Sequence, residues 1–235
     1  MPVDLLIRSM KAFRCDFIQF FGMTETSPTL TMLLPEDHVV EGPEHKVRRL
    51  ASAGRPVIGV EVRVIYKEGQ DCAAGVVGEI IGRGRNVMKG YHKMPEETAK
   101  AIRNGWYYTG DMGYFDEYGY LYIADRKKDM IISGGENIYP REVEEAILLM
   151  KGIIEVAVIG VPDDAWGEAV MAIVVKMPGE EITEEMVVEH CRRNIASYKK
   201  PKHVKFADSL PRSAVGKVLK HQLRDPYWEG RSRKV

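Results

Sequence analysis

The hydrophobic period of this chain changes once, at Arg126, and that change limits the folds open to it. Before Arg126 the apolar residues mostly alternate, and turn residues interrupt them often. Val60, Val62 and Val64 share one face against Glu61 and Arg63, as in a half-buried strand. Val76 to Ile81 reads as a second strand. Phe115 to Ile123 reads as a hairpin around Asp116-Glu117-Tyr118-Gly119. A helix is expected over Val3 to Phe13, where Val3, Leu6, Ile7, Met10 and Phe13 recur at helical spacing. A buried strand, Phe17 to Phe21, follows it and opens at Gly22. Pro35 to Pro43 has the composition of a surface loop. A short helix starts at Pro95 and stops at Gly105.

After Arg126, strand-like and helix-like stretches take turns. Met130 to Ser133, Ile154 to Val161, Ala169 to Val175 and His203 to Phe206 read as strands. Pro140 opens a helix with Val143, Ala146, Ile147 and Met150 on one face, and Thr183 caps another carrying Val187, Val188, Cys191 and Ile195. A loop from Pro211 to Gly216 leads into a last helix, Lys217 to Leu223. The reading is therefore mixed α/β and α+β: a β-rich part over residues 1–126 and a smaller α+β part over 127–235.

Composition sets the limits on function. The 34 Lys and Arg balance the 34 Asp and Glu, which argues against bulk attraction to nucleic acid or anionic lipid. The longest apolar run, Ala169 to Val175, is too short to cross a bilayer. Asp4 and Arg8 interrupt any signal-peptide pattern. Cys15, Cys72 and Cys191 lie far apart, so no metal or redox pair is suggested. A cytoplasmic globular protein is expected.

Four polar clusters fall at the ends of elements, where ligand-handling residues concentrate. In Phe21-Gly22-Met23-Thr24-Glu25-Thr26 an aromatic ring, a glycine, hydroxyls and a carboxylate could stack a base, approach a phosphate and ligate Mg²⁺; a plain strand-to-turn transition has the same composition. Tyr107-Tyr108-Thr109-Gly110-Asp111 ends in a carboxylate able to take both hydroxyls of a ribose, or merely to cap a turn. Asp125-Arg126-Lys127-Lys128-Asp129 suits a solvated connector or one that swings between two positions. Pro211 to Lys217 sets a lysine after a glycine at a helix start, where the dipole disfavours it unless an anion binds. It lacks Walker spacing, and a surface lysine on a terminal helix is the plainer alternative.

Taken in order, these clusters resemble the adenylate-forming family of acyl-CoA synthetases, luciferases and peptide-synthetase adenylation domains. Phe21 to Glu25 is similar to its aromatic-Gly-x-Thr-Glu motif, and Tyr107 to Asp111 to its Tyr-x-Thr-Gly-Asp motif. Asp125 to Glu145 is similar to its hinge and thiol-tunnel loop, most of all to medium- and long-chain fatty acid–CoA ligases. Pro211 to Lys217 is similar to the segment bearing its adenylation lysine. The resemblance implies an acid–thiol ligase that uses ATP, Mg²⁺ and coenzyme A and releases AMP, with a carboxylic acid, expected to be a fatty acid, for substrate. The alternatives are an aryl- or coumarate-type CoA ligase, and a non-catalytic AMP- or CoA-binding module or docking half of a split ligase.

Residue by residue, it implies that Phe21 and Gly22 meet the adenine side of the nucleotide and that Thr24 touches the α-phosphate or acyl carbonyl. Glu25 would hold Mg²⁺ and Asp111 the ribose, with Arg126 assisting. Lys128 would be the pivot, Gly135 would line the pantetheine path, and Lys217 would bridge the two reacting anions. Lys199, Lys200 and Lys202 could meet the phosphates of CoA, or form a solvated basic turn. Phe21 replaces the commoner tyrosine, and Ile132 stands where luciferase-like members carry a second lysine. The family's Ser/Thr/Gly-rich phosphate loop has no counterpart between Met1 and Gln19. The chain is thus expected to be the C-terminal portion of a synthetase, with an incomplete first part prone to self-association.

Overall fold

A computed structural model describes residues 3–214 and 216–231. The chain forms two compact units, Met1–Ala124 and Asp125–Val235, and its architecture is mixed α/β and α+β.

The first unit begins with α1 (Val3–Phe13), whose Leu6 is fully buried. Strands β1 (Gln19–Phe21), β2 (Thr31–Leu33) and β3 (Arg55–Pro56) form an antiparallel sheet in that order, with the short helix α2 (Glu44–Val47) between the last two. β4 (Val60–Ile65), β5 (Gly78–Gly84), α3 (Pro95–Ala101), β6 (Ile102–Arg103), β7 (Trp106–Phe115) and β8 (Leu121–Arg126) follow. They give a second sheet ordered β4-β5-β7-β6, with β8 also on β7. Val64, Ile80 and Leu121 form its core, against which Phe21 and Val62 pack.

Three expectations change here. The strand at Phe17 to Phe21 is only β1, at an edge, and leaves Ile18 and Phe20 exposed, because one face of so short an edge strand has no layer over it. Gly105 does not stop a helix. α3 ends at Ala101, and Asn104-Gly105, both at positive φ, form the two-residue turn that pairs Arg103 with Trp106. Pro35–Asp37 is a 3₁₀ turn that buries His38 beside the Leu34 carbonyl, so the predicted surface loop is partly folded in.

In the second unit, β9 (Ile131–Ser133) and β10 (Glu136–Ile138) form a hairpin. Helix α4 (Pro140–Leu148), the long strands β11 (Ile153–Asp163) and β12 (Gly167–Lys176), α5 (Glu184–Asn194), β13 (His203–Phe206) and α6 (Lys220–Arg224) complete it. The sheet runs β10-β9-β12-β11, with β13 parallel on β12. β11 and β12 are apolar on both faces because both are covered. Val158, Val170, Ala172 and Val174 pack with Val143, Ile147, Val187 and Cys191 of α4 and α5. Ala157, Ile159, Ile173 and Val175 pack on the other face with Leu210, Val218 and Leu223. The Thr183 hydroxyl accepts from Met186 N, capping α5 as its sequence suggests. Ile195 lies beyond the helix, in extended backbone. No helix among the described residues is long and apolar enough to cross a membrane.

Candidate functional site

In the first unit the Phe21–Thr26 segment leaves β1 and turns sharply. The Thr26 hydroxyl both accepts from Met23 N and donates to Met23 O, each at 3.0 Å, which closes the turn on itself. Gly22 is required by crowding: a Cβ there would lie 1.8 Å from Pro28 O. The turn leaves Thr24 exposed and Glu25 half-buried. Phe21 is half-buried, with its ring packed on the core of the sheet, which is the plainer structural role.

A distant segment clamps this turn. Asn86 Nδ2 donates to Thr26 O (2.8 Å) and Thr29 O (2.7 Å), Met88 N donates to Glu25 O (2.8 Å), and the Tyr91 hydroxyl donates to Glu25 Oε1 (3.0 Å). The Tyr107 hydroxyl meets Met23 Sδ at 3.3 Å. Burial pushes the Tyr107 phenol well above its ordinary range, with the Glu25 charge adding to it. The Tyr91 phenol is raised as well, by burial first and then by its hydrogen bond to Glu25. Both hydroxyls therefore stay protonated as donors at neutral pH. Nothing in the sequence singles out Asn86 or Tyr91, and Tyr107, which opens the second cluster, gives no sign there of its contact with Met23. The partners of Asn86 and Tyr91 lie about sixty residues away, and local pattern carries no such information.

Asp111 lies four residues along β7 from Tyr107, at a bulge. Glu79 of β5 opposes Met112 and Ile81 opposes Tyr108, so Ile80 alone faces Thr109, Gly110 and Asp111. Gly110 takes φ +72°, and the Thr109 hydroxyl donates to Ile80 O (2.7 Å) while accepting from Asp111 N (3.0 Å). The bulge re-aims a half-buried carboxylate out of the regular pleat. Tyr107 thus links the turn carrying Thr24 and Glu25 to the strand carrying Asp111.

In the second unit the charged pentad is a 3₁₀ turn over Lys127–Asp129, with Arg126 and Lys128 exposed. It is anchored at both ends. Asp125 accepts from Arg141 N at the start of α4 (2.8 Å), and Arg224 of α6 donates to Lys128 O (3.3 Å) and pairs with Asp129 (3.4 Å). Gly134 and Gly135 are the two central residues of the β9–β10 turn, at φ +61° and +88°, the positive-φ pair that a two-residue hairpin prefers. A Cβ on Gly134 would strike the Trp166 ring at 2.4 Å, whereas one on Gly135 meets nothing within 4 Å.

Lys217 does not begin a helix. α6 starts at Lys220, and Lys217 lies in a loop closed by Ser213 N to Lys217 O (2.8 Å), Leu219 N to Pro211 O (2.8 Å) and the Arg212–Val218 bridge. Arg212 stiffens that loop by donating to Gly216 O and pairing with Glu155 at 2.5 Å. Gly216, at φ +81°, turns the chain so that extended pairing holds Lys217 instead of a helical first turn. The ammonium is exposed on a well-tied loop. Of the basic turn, Lys199 pairs with Glu142 (2.7 Å) and Lys202 with Asp163, so two of its three ammoniums already face a carboxylate.

Among the described residues no cluster of three or more His, Cys, Asp or Glu forms a metal site. The Thr24 hydroxyl and Glu25 carboxylate supply hard oxygens, which fit Mg²⁺ held by one carboxylate together with substrate phosphates.

The sequence profile of the AMP-binding enzyme matches residues 1–92, and that of the AMP-binding enzyme C-terminal domain matches residues 142–217. Curated relatives include the 2-succinylbenzoate–CoA ligase of Geobacillus sp. (strain WCH70), 43% identical over 93% of this chain and 43% of that protein. The long-chain-fatty-acid–CoA ligase FadD13 of Mycobacterium tuberculosis is 43% identical over 95% of this chain and 42% of its own length. Among solved structures, o-succinylbenzoate CoA synthetase (MenE) from Bacillus subtilis, in complex with the acyl-adenylate intermediate OSB-AMP, superposes with a TM-score of 0.83 at 37% identity. It covers 95% of this chain and 44% of that one. The chain thus spans less than half the length of the relatives it matches.

Proposed function

Since this chain belongs to the adenylate-forming family of AMP-binding enzymes, we propose that it forms part of an AMP-forming acid–CoA ligase. In the first half-reaction a carboxylate oxygen attacks the α-phosphorus of ATP and pyrophosphate leaves. In the second, the CoA sulfur attacks the acyl carbonyl and AMP leaves. The observation that carries the reading is the Tyr107–Met23 contact, which joins the Thr24-Glu25 turn to the Asp111 strand across 84 residues of sequence.

On this reading Phe21 offers a ring face to the adenine, beside the small Gly22. Asp111 accepts from the ribose hydroxyls, with Arg126 assisting. Thr24 donates to the α-phosphate or the acyl carbonyl. Glu25 holds Mg²⁺, which when bound neutralises phosphate charge. Lys217 offers an exposed ammonium to the two anions that must meet, where a preorganised cation acts most strongly. Lys128 is the pivot, and its neighbours' anchoring to α4 and α6 lets the second unit move as one body. The Gly134-Gly135 turn serves the thiol arm of CoA.

We propose a fatty acid as the acid, in a cytoplasmic setting. The wording of Asp125 to Glu145 and the likeness to FadD13 support it, and the likeness to 2-succinylbenzoate–CoA ligase makes aromatic acids the competing outcome. The test is acid-dependent ATP–pyrophosphate exchange by the intact enzyme across a panel of fatty and aromatic acids. Lys217→Ala is expected to lower exchange about 100-fold or more, while sparing thioester formation from supplied acyl-adenylate. Full exchange by the alanine variant would refute the assignment.

A further inference from the structure

We infer that Tyr91 is a positioning residue for Glu25: it fixes the plane of the carboxylate with a neutral hydroxyl and leaves the full negative charge for a divalent cation. This deepens the reading of Glu25 as the carboxylate that holds Mg²⁺ and rests on it. Three features of the first unit support the inference. The Tyr91 hydroxyl donates to Glu25 Oε1 at 3.0 Å, occupying one of the carboxylate's several acceptor positions. Tyr91 is itself held in place, because its backbone N–H donates to the Thr98 hydroxyl (2.9 Å), which in turn donates to Met94 O (2.9 Å) at the start of α3. The backbone of Glu25 is gripped by the same segment, through Met88 N to Glu25 O at 2.8 Å and through Asn86 to the carbonyls of Thr26 and Thr29.

The chemistry of the partner matters. Lysine or arginine at this position would orient the carboxylate equally well but would neutralise it and compete with a metal ion. A phenol orients without neutralising. Hydrogen-bonding partners of metal ligands commonly change metal affinity by about 10- to 100-fold when removed.

The experiment uses the intact enzyme and Mn²⁺ as probe. Loss of the free-Mn²⁺ paramagnetic resonance signal is followed in the presence of a non-hydrolysable ATP analogue, alongside the Mg²⁺ dependence of exchange. Tyr91→Phe is expected to weaken Mn²⁺ about tenfold and to raise the half-saturating Mg²⁺ concentration correspondingly, with the effect falling on apparent metal affinity more than on the rate at saturating metal. Glu25→Gln separates the two claims. If it leaves Mn²⁺ binding intact, the reading of Glu25 fails and the inference falls with it. If Glu25→Gln weakens Mn²⁺ but Tyr91→Phe does not, only the role of Tyr91 is overturned. The double variant guards against a general loss of structure. A hydroxyl acting through Glu25 has nothing left to act through in Glu25→Gln, so the effects should not add, and additive losses would overturn the inference.

Discussion

Gly22 and Gly135 have no side chain for different physical reasons, and substitution should separate them. At Gly22 the obstacle is backbone, since a methyl would sit 1.8 Å from Pro28 O with no flexible side chain to give way. Gly22→Ala should therefore destabilise the first unit by about 1–3 kcal/mol, the usual range for forced overpacking, read as a lowered urea midpoint at unchanged slope. At Gly135 the space is open and only φ +88° matters. Gly135→Asn should stay within about 1 kcal/mol of the parent, because asparagine tolerates the left-handed region. If the turn serves the thiol arm, the same variant should weaken calorimetric CoA binding at least about tenfold, equivalent to about 1.4 kcal/mol. Unchanged CoA affinity would detach Gly135 from that role. Gly22, Glu25 and Asp111 stand out in the sequence because their neighbours form short contiguous motifs. Tyr91 does not: its partnership with Glu25 exists only once β5 and the segment after it fold back over the turn.

The helix α6 has only five residues, too few to persist by propensity, and is held by tertiary ties. Leu223 packs against the outer face of the sheet, Lys220 pairs with Glu144 at 2.7 Å, and Arg224 reaches Asp129. That dependence explains why the sequence reading started the helix too early. Its pattern of residues allows a start at Lys217, and the loop closure that moves the start to Lys220 comes from backbone bonds to Ser213 and Pro211. The cap at Thr183 was legible because its cause is local, a side-chain acceptor at the helix start, whereas Glu136–Ile138 carries no strand pattern of its own and becomes β10 only by pairing with β9. The Glu144 pair also sets a pH dependence. Burial raises the Glu144 carboxyl despite Lys220 and the Val158 N–H, so desolvation outweighs the ion pair. A carboxyl raised on folding binds its proton more tightly in the native state. Its contribution is complete below the unfolded value, about 4.3, and is lost as pH rises through that value toward the folded one. Glu144→Gln cannot titrate. The stability it loses relative to the parent should be smaller at pH 7 than at pH 4, as measured by urea denaturation at both. A larger deficit at pH 7 would show that attraction to Lys220 outweighs burial.

At the scale of the whole molecule, both units leave large apolar side chains in water, Leu149 and Trp166 of the second among them, but they differ in where those side chains lie. In the second, both faces of the central strands are covered, by α4 and α5 on one side and by Leu210, Val218 and Leu223 on the other. In the first, Phe13, Ile18 and Phe20 are 72%, 53% and 60% exposed along consecutive elements. Each such ring or branched chain left in water forgoes burial worth about 25 cal/mol per Å². The expected consequence is two heat-absorption transitions in place of one. A segment comprising Asp125–Val235 should fold alone and reproduce one of them, with an unfolding enthalpy near 80 kcal/mol at about 0.7 kcal/mol per residue. The segment ending at Ala124 should melt earlier, and its apparent size in analytical ultracentrifugation should grow with concentration, because the face bearing Phe20 can be covered by a second copy. Phe20→Ser should reduce that growth at little cost in melting temperature, since the ring it removes is already in water. The two-unit account predicts that a cut between Ala124 and Asp125 leaves the later transition unchanged. A single transition of a monodisperse monomer, lost entirely by that cut, would mean that the units fold as one cooperative body.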